Sequence, residues 1–213
     1  MERTISVDSK ENLTNKIYHD LLNKLQASEL VPGMLIDRKA LAAEYQVSMA
    51  PVRDALQRLS LEGFVETRSR SATVVKAIHK DDIYGAMVLR EALETQVIRM
   101  ISGDTIKAEK DTLYELAVKV DSCNSILEYW QADINFHRQL VLLSKCKLLI
   151  DTYDQVMNLG TFYQVNKYFF RLDTSQCDSH IQLLHHLLED DAVNAEEAIR
   201  RHLSNGKSMA AIK

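Results

Sequence analysis

The chain has 213 residues, 46% of them hydrophobic and 26% charged, a balance that excludes a disordered polymer and allows one large domain or two small ones. Six glycines and two prolines argue against a turn-rich all-β fold and for helices with short connections. A net charge of −4 excludes a protein coated all over with nucleic acid, and no apolar run approaches the roughly 20 residues that a membrane span needs.

The polar start, MERTISVDSKEN, lacks the apolar core of a secretory signal. Three cysteines, Cys123, Cys146 and Cys177, include no C-x-x-C pair and read as reduced thiols of a cytoplasmic protein. Along Leu13–Ala27, Ile17, Leu21, Leu22 and Leu25 have helical spacing with one buried face. Val31-Pro32-Gly33 breaks that helix. A second helix is expected over Arg38–Tyr45, then a tight turn at Gln46-Val47-Ser48. A third runs from Met49 to Glu62, with Ser48 as N-cap, Pro51 in the first turn and Gly63 as the C-terminal stop. Two β-type runs, Phe64–Arg68 and Thr73–Lys76, flank Ser69-Arg70-Ser71. Two short helices, a turn, a third helix and a hairpin have the layout of a winged helix-turn-helix over residues 1–76.

Residues 77–81 read as a joint, and 82–213 as all helix. The expected runs are 83–101, 105–121, 124–143, 146–165, 174–189 and 192–211, with Asp190-Asp191 breaking the last two. The fold class is therefore mainly α: a winged helix-turn-helix followed by an antiparallel bundle of about six helices. Charge divides the same way. Residues 1–78 hold 11 Lys/Arg and 10 Asp/Glu, and the remainder 15 and 20. A modestly basic head on an acidic body fits a DNA-reading module joined to a domain with another task.

Val47-Ser48-Met49-Ala50-Pro51-Val52-Arg53-Asp54-Ala55-Leu56-Gln57-Arg58-Leu59 resembles the recognition helix of the GntR family of regulators, V-S-R-T-P-V-R-E-A-L-R-R-L. Glu62-Gly63-Phe64-Val65-Glu66 is similar to that family's E-G-L-V-E, and Leu41-Ala42-Ala43-Glu44-Tyr45 lies where it has L-A-E-Q-L. The resemblance covers about residues 13–76 and implies binding to a double-stranded operator. A recognition helix offers its first turns to the major groove, so Ser48, Met49, Ala50 and Arg53 are the candidate readers, with Arg53 able to fork onto a guanine edge. Lys39, Arg58, Arg68 and Arg70 are candidates for phosphates. Met49 replaces the family's Arg, Ala50 its Thr, Gln46 its turn Gly, and Ser69-Arg70-Ser71 its Gly-rich wing. These departures imply a different operator or weaker binding.

In the second half, Leu89-Arg90-Glu91-Ala92-Leu93-Glu94 resembles the L-R-x-x-L-E of the FadR-type (FCD) effector domain found in that family. Asp133-Ile134-Asn135-Phe136-His137 is similar to its D-x-x-F-H, and His180 and His202 to its two later histidines. The resemblance covers about 82–211 and implies a metal site of Asp133, His137, His180 and His202. Asp133 and His137, four apart, share a helix face. Three imidazoles and one carboxylate suit a borderline divalent ion, Zn²⁺, Ni²⁺ or Mn²⁺. His19, His79, His185 and His186 read as ordinary core or surface histidines. Arg90 is a candidate for a carboxylate effector, or else a surface ion pair with Glu94.

These features lead to the expectation of a homodimeric repressor whose operator binding is controlled by a small organic acid at a metal-containing pocket. The alternative is a metal-dependent hydrolase with an accessory DNA-binding head. It is disfavoured because no H-E-x-x-H occurs and no glutamate stands beside the ligands in sequence as a general base.

Overall fold

The computed structural model describes residues 7–68, 72–101, 103–166, 179–189 and 191–204. Arg70, Cys177, Asp190 and the outer ends of the last two expected helices lie outside the described residues. The chain divides into two compact units, Met1–His79 with Asn158–Phe169, and Lys80–Met157 with Phe170–Lys213.

In the first unit, α1 (Val7–Gln26), α2 (Arg38–Glu44) and α3 (Met49–Leu61) pack beside strands β1 (Leu35–Ile36), β2 (Val65–Thr67) and β3 (Thr73–Val75). The antiparallel sheet has the order β1-β3-β2. Leu35 faces Val74 and Glu66 faces Val74 from the other side. The hairpin matches the expected wing. Strand β1 was not among the expected elements, because two residues carry no periodicity. It is set by Gly33, whose φ of +86° turns the chain so that its N–H reaches Val75 O at 2.9 Å.

The helix borders follow local chemistry. Asp37 caps α2 by accepting from Lys39 N (2.8 Å) and Ala40 N (3.1 Å). Gln46 holds the turn at φ +53°, a conformation that costs a non-glycine about 1 kcal/mol or more. Ser48 occupies the N-cap position of α3, but its hydroxyl makes no cap bond. At the other end Gly63 (φ +91°) donates to Ser60 O and Phe64 N to Leu59 O, a Schellman stop as the glycine implied. Ile17, Leu21 and Leu25 of α1, Val52, Ala55 and Leu59 of α3, and Phe64 and Val75 form the core. From Asn158 on, the last turns of α8 (Lys147–Val165) join it. Phe162 meets Phe64 edge-on at 5.7 Å, and Asn158 accepts from Gln26 Nε2 at 3.1 Å.

The second unit holds α4 (Lys80–Met100), α5 (Gly103–Ala108), α6 (Lys110–Asp121), α7 (Ile126–Leu143), the start of α8, α9 (His180–Leu187) and α10 (Ala192–Ser204). The expected run 105–121 is two helices, parted at Glu109 (φ −106°, ψ 15°). Among the packed pairs are α4 with α7, α7 with α6, α6 with α9, α9 with α10 and α10 with α4. Five helices thus close a ring, and their inward faces meet at one place. Asp191 starts α10 by accepting from Val193 N and Asn194 N. Among the described residues no helix is long and apolar enough to cross a membrane.

Candidate functional site

Two sets of polar side chains stand out, one in each unit. The first is the outer face of α3. Met49, Arg53 and Gln57 are spaced by four and exposed, and Leu61 continues the row at 84% exposure. The Arg53 side chain is 68% exposed, with only a loose 3.6 Å approach to Asp54. Lys39 and Ser48 are also exposed, and Ala50 is half-buried. Arg68 is exposed and pairs with Glu66 at 2.7 Å. Arg58 is placed differently. Its guanidinium lies 3.7 Å from the Tyr18 ring centre, bonds Glu62 Oε1 at 3.1 Å and reaches Asn15 of α1 at 3.3 Å. It fastens α1 to α3 through a cation–π contact and hydrogen bonds.

Arg38, which no motif singled out, is the cation that joins helix to wing. Its Nε donates to Thr73 Oγ1 at 2.8 Å and its Nη2 to Thr67 Oγ1 at 3.3 Å. With Arg53, Gln57, Ser60 and Thr67 it lines a groove between α3 and the base of the wing. Its position one residue after a helix cap is the only sequence signal it carries.

The second set is buried inside the five-helix ring. Asp133 and His137 come from α7, His180 from α9 and His202 from α10. Asp133, His137 and His180 are 0% exposed and His202 4%. One ligand atom from each lies within 4.8 Å of all the others. The His180 and His202 ring centres are 4.5 Å apart, and His137 is 5.3 Å from His202. All four residues named from the sequence are therefore brought together.

Behind them stands an outer layer. His180 directs Nε2 at Asp133 Oδ1 (3.2 Å) and Nδ1 at Asp121 Oδ1 (3.1 Å). Asp121, the last residue of α6, also accepts from Ser179 Oγ at 2.5 Å and from the N–H groups of His180 and Ile181. Burial pushes its carboxyl up, but His180 and these donors outweigh that and leave it at about 2. His137 sets Nδ1 2.6 Å from Glu94 Oε2. The two groups are in close contact, although neither His137 nitrogen makes a well-aligned hydrogen bond. Burial holds the His137 pKa below its usual value, which keeps the ring neutral, the form that binds a metal.

Arg90 completes the layer. Far from a surface pair, it is 6% exposed. Its Nε bonds Glu94 Oε1 at 2.7 Å and its Nη2 bonds Asp133 Oδ2 at 2.9 Å. Burial tends to raise the Glu94 carboxyl, but His137 and Arg90 lower it further, to about 2. Three buried or half-buried carboxylates thus face one guanidinium and three imidazoles. A divalent cation would offset that surplus of negative charge, whose burial is otherwise costly. The donor set fits such an ion, with Asp133, His137, His180 and His202 as its ligands and Glu94 and Asp121 as the carboxylates that orient two of the imidazoles. Glu94 was legible as the end of the L-R-x-x-L-E match and as a partner of Arg90, not as a neighbour of His137. Asp121 had no sequence signal, since it reaches the site across 59 residues.

The model of the family described as "Bacterial regulatory proteins, gntR family" matches residues 13–75, and that of the FCD domain matches 85–205. The chain is similar to the HTH-type transcriptional repressor RspR of Escherichia coli K12, at 23% identity over 199 residues, 90% of this chain and 86% of that protein. It is similar to the HTH-type transcriptional regulator LutR of Bacillus subtilis, at 26% identity over 204 residues, 85% of this chain and 93% of LutR. Among solved structures, E. coli McbR/YncC superposes with a TM-score of 0.66 at 20% identity, covering 90% of this chain and 93% of that one; this supports the fold.

Proposed function

The chain belongs to the GntR family of transcription regulators, in the subgroup that carries an FCD domain, and from that premise we propose that it is a cytoplasmic repressor whose operator affinity is set by a small carboxylate at a divalent metal ion in the second unit. The observation that carries the sensing half is the closed cluster of Asp133, His137, His180 and His202 with a carboxylate behind two of the imidazoles. Zn²⁺, Ni²⁺ and Mn²⁺ all suit this donor set. When bound, the ion supplies a Lewis-acidic position that an acid can occupy. Arg90, fixed between Glu94 and Asp133, gives the pocket a permanent positive charge toward such an acid.

The exposed row of α3 supports the reading half. Arg53 is free to reach a base edge, while Lys39 and Arg68 stand where phosphates pass. Arg70 belongs with them by its place in the wing sequence. Arg58 contributes chiefly by fastening α3 to α1. A palindromic operator requires two such heads, so the working form is a homodimer. A hydrolase is disfavoured because Glu94 and Asp121, the carboxylates nearest the ligands, are each engaged by an imidazole and neither is placed as a general base.

The test is fluorescence anisotropy with DNA from upstream of the protein's own coding region, at two salt concentrations. Salt-sensitive binding, altered by metal together with an organic acid, is the expected result. Absence of binding to any such DNA overturns the reading half. Absence of metal uptake overturns the sensing half.

A further inference from the structure

Tyr153 lies on α8 and is 0% exposed. Its hydroxyl has no hydrogen-bond partner among the described residues. Buried hydroxyls are nearly always paired, and an orphan in a native core needs a reason. A phenylalanine would fill the same space without that cost. The surroundings supply the reason. Burial first, and then the negative charge of Glu94, drive the phenol pKa well above its usual value. Arg90 opposes them, and Asp133 and Asp154 add to them. The hydroxyl thus stands in the field of the groups that form and support the metal centre.

Its position is enforced. Arg138, the residue after His137, forks onto Asp154, the residue after Tyr153, with Nε–Oδ1 at 2.7 Å and Nη2–Oδ2 at 2.8 Å. Such a bidentate pair fixes geometry as well as charge. It clamps α8 to α7 at the level of the ligand histidine. Arg90, the cation whose charge acts on this hydroxyl, is already bonded to Glu94 and Asp133, so a neutral donor is the complementary group still to be used.

We infer that Tyr153 is a ligand-positioning residue: its hydroxyl donates a hydrogen bond to the carboxylate oxygen that takes an open position on the metal ion. The inference rests on the metal reading above. Recognition then has two parts, with charge supplied by the ion and direction by the phenol. The carboxylate holds its own proton-free form and the tyrosine keeps its proton, so no proton is transferred.

The experiment uses the full chain loaded with Co²⁺, whose visible absorption reports its coordination, with acetate as the probe carboxylate. Wild type and Tyr153→Phe are compared. Tyr153→Phe is expected to take up Co²⁺ with the same stoichiometry and to keep its helical circular dichroism. Its acetate affinity is expected to fall about 10-fold or more, the range for a hydrogen bond to a charged group. A hydroxyl with only a structural role would alter the melting temperature of the metal-free protein and leave acetate affinity unmoved. Equal acetate titrations in both proteins, or no acetate response in wild type, overturn the inference while leaving the metal reading intact. Failure of wild type to bind Co²⁺ overturns the metal reading and this inference with it.

Discussion

The two units use charge in opposite ways. On α3 the candidate DNA-reading groups are exposed and only lightly tethered, with Arg53 at 68% side-chain exposure. In the five-helix ring the charges of Arg90, Glu94 and Asp133 are almost wholly buried and bonded to one another. An exposed cation costs little to keep, contributes little to folding, and is free to meet a polyanion. A buried charge is tolerated only with its partners in place, so its geometry is set before any ligand arrives. Substitutions on the first face should therefore change binding and spare stability. Substitutions in the ring should change both.

The sharpest way to break that contrast is Glu94→Ala. It takes away one of the two carboxylates bonded to the buried Arg90 guanidinium, and the one beside His137, and should lower stability by about 3–5 kcal/mol, read from urea unfolding. A loss no larger than that of a surface substitution would mean that the ring charges are not coupled as described. Next is His137→Ala, which removes a ligand. Metal affinity, measured by calorimetry, should fall by more than the ~10–100-fold that loss of a supporting residue costs. In wild type, a chelator should lower the melting temperature, because an ion held at 1,000 times its Kd stabilises by about 4 kcal/mol. No chelator effect would speak against a bound ion.

Asp121→Asn tests the outer layer. It keeps the shape of the side chain but removes the carboxylate behind His180, and metal affinity should drop by about 10–100-fold. Unchanged affinity would leave Asp121 with only its capping role at the start of α9. On the reading face, Arg53→Ala should relax discrimination at one base pair by about 1–3 kcal/mol with no change in melting temperature. Arg68→Ala should have the smallest effect, a salt slope of DNA binding shallower by about 1 with specificity kept. If either exposed arginine destabilised the fold as much as Glu94→Ala, the contrast between the units would fail.

Much of this was present in the order of residues. The periodicity of α1, the Pro51 and Gly63 borders of α3 and the alternation around the wing are local signals. Each depends on a few neighbouring residues, so each could be read without knowing what packs against it. The ligands were legible for a related reason. Asp133 and His137 share a helix face by spacing alone, and His180 and His202 follow in a recognisable order. Other features depend on distant partners. Arg90 and Glu94 suggested a surface pair by their spacing, yet their row of α4 turns inward with Ile83, Val97 and Ile98. Periodicity assigns polar residues to the outside and misreads a helix whose inner stripe carries charge. The helical pattern of 146–165 likewise does not say that its two ends join different units.

The sequence by itself determined that the chain is a helical protein with a winged helix-turn-helix and four dispersed metal-type side chains, because those traits reside in short segments. Only the tertiary structure decided that Asp121, Glu94 and Arg90 stand behind those four, that the Tyr153 hydroxyl is buried without a partner among the described residues, and that Arg58 bonds to α1 while Arg38 joins the wing. The reason is physical. A group's role in a buried site depends on what surrounds it in space, and ring closure by five helices brings together residues that the chain keeps more than 100 positions apart.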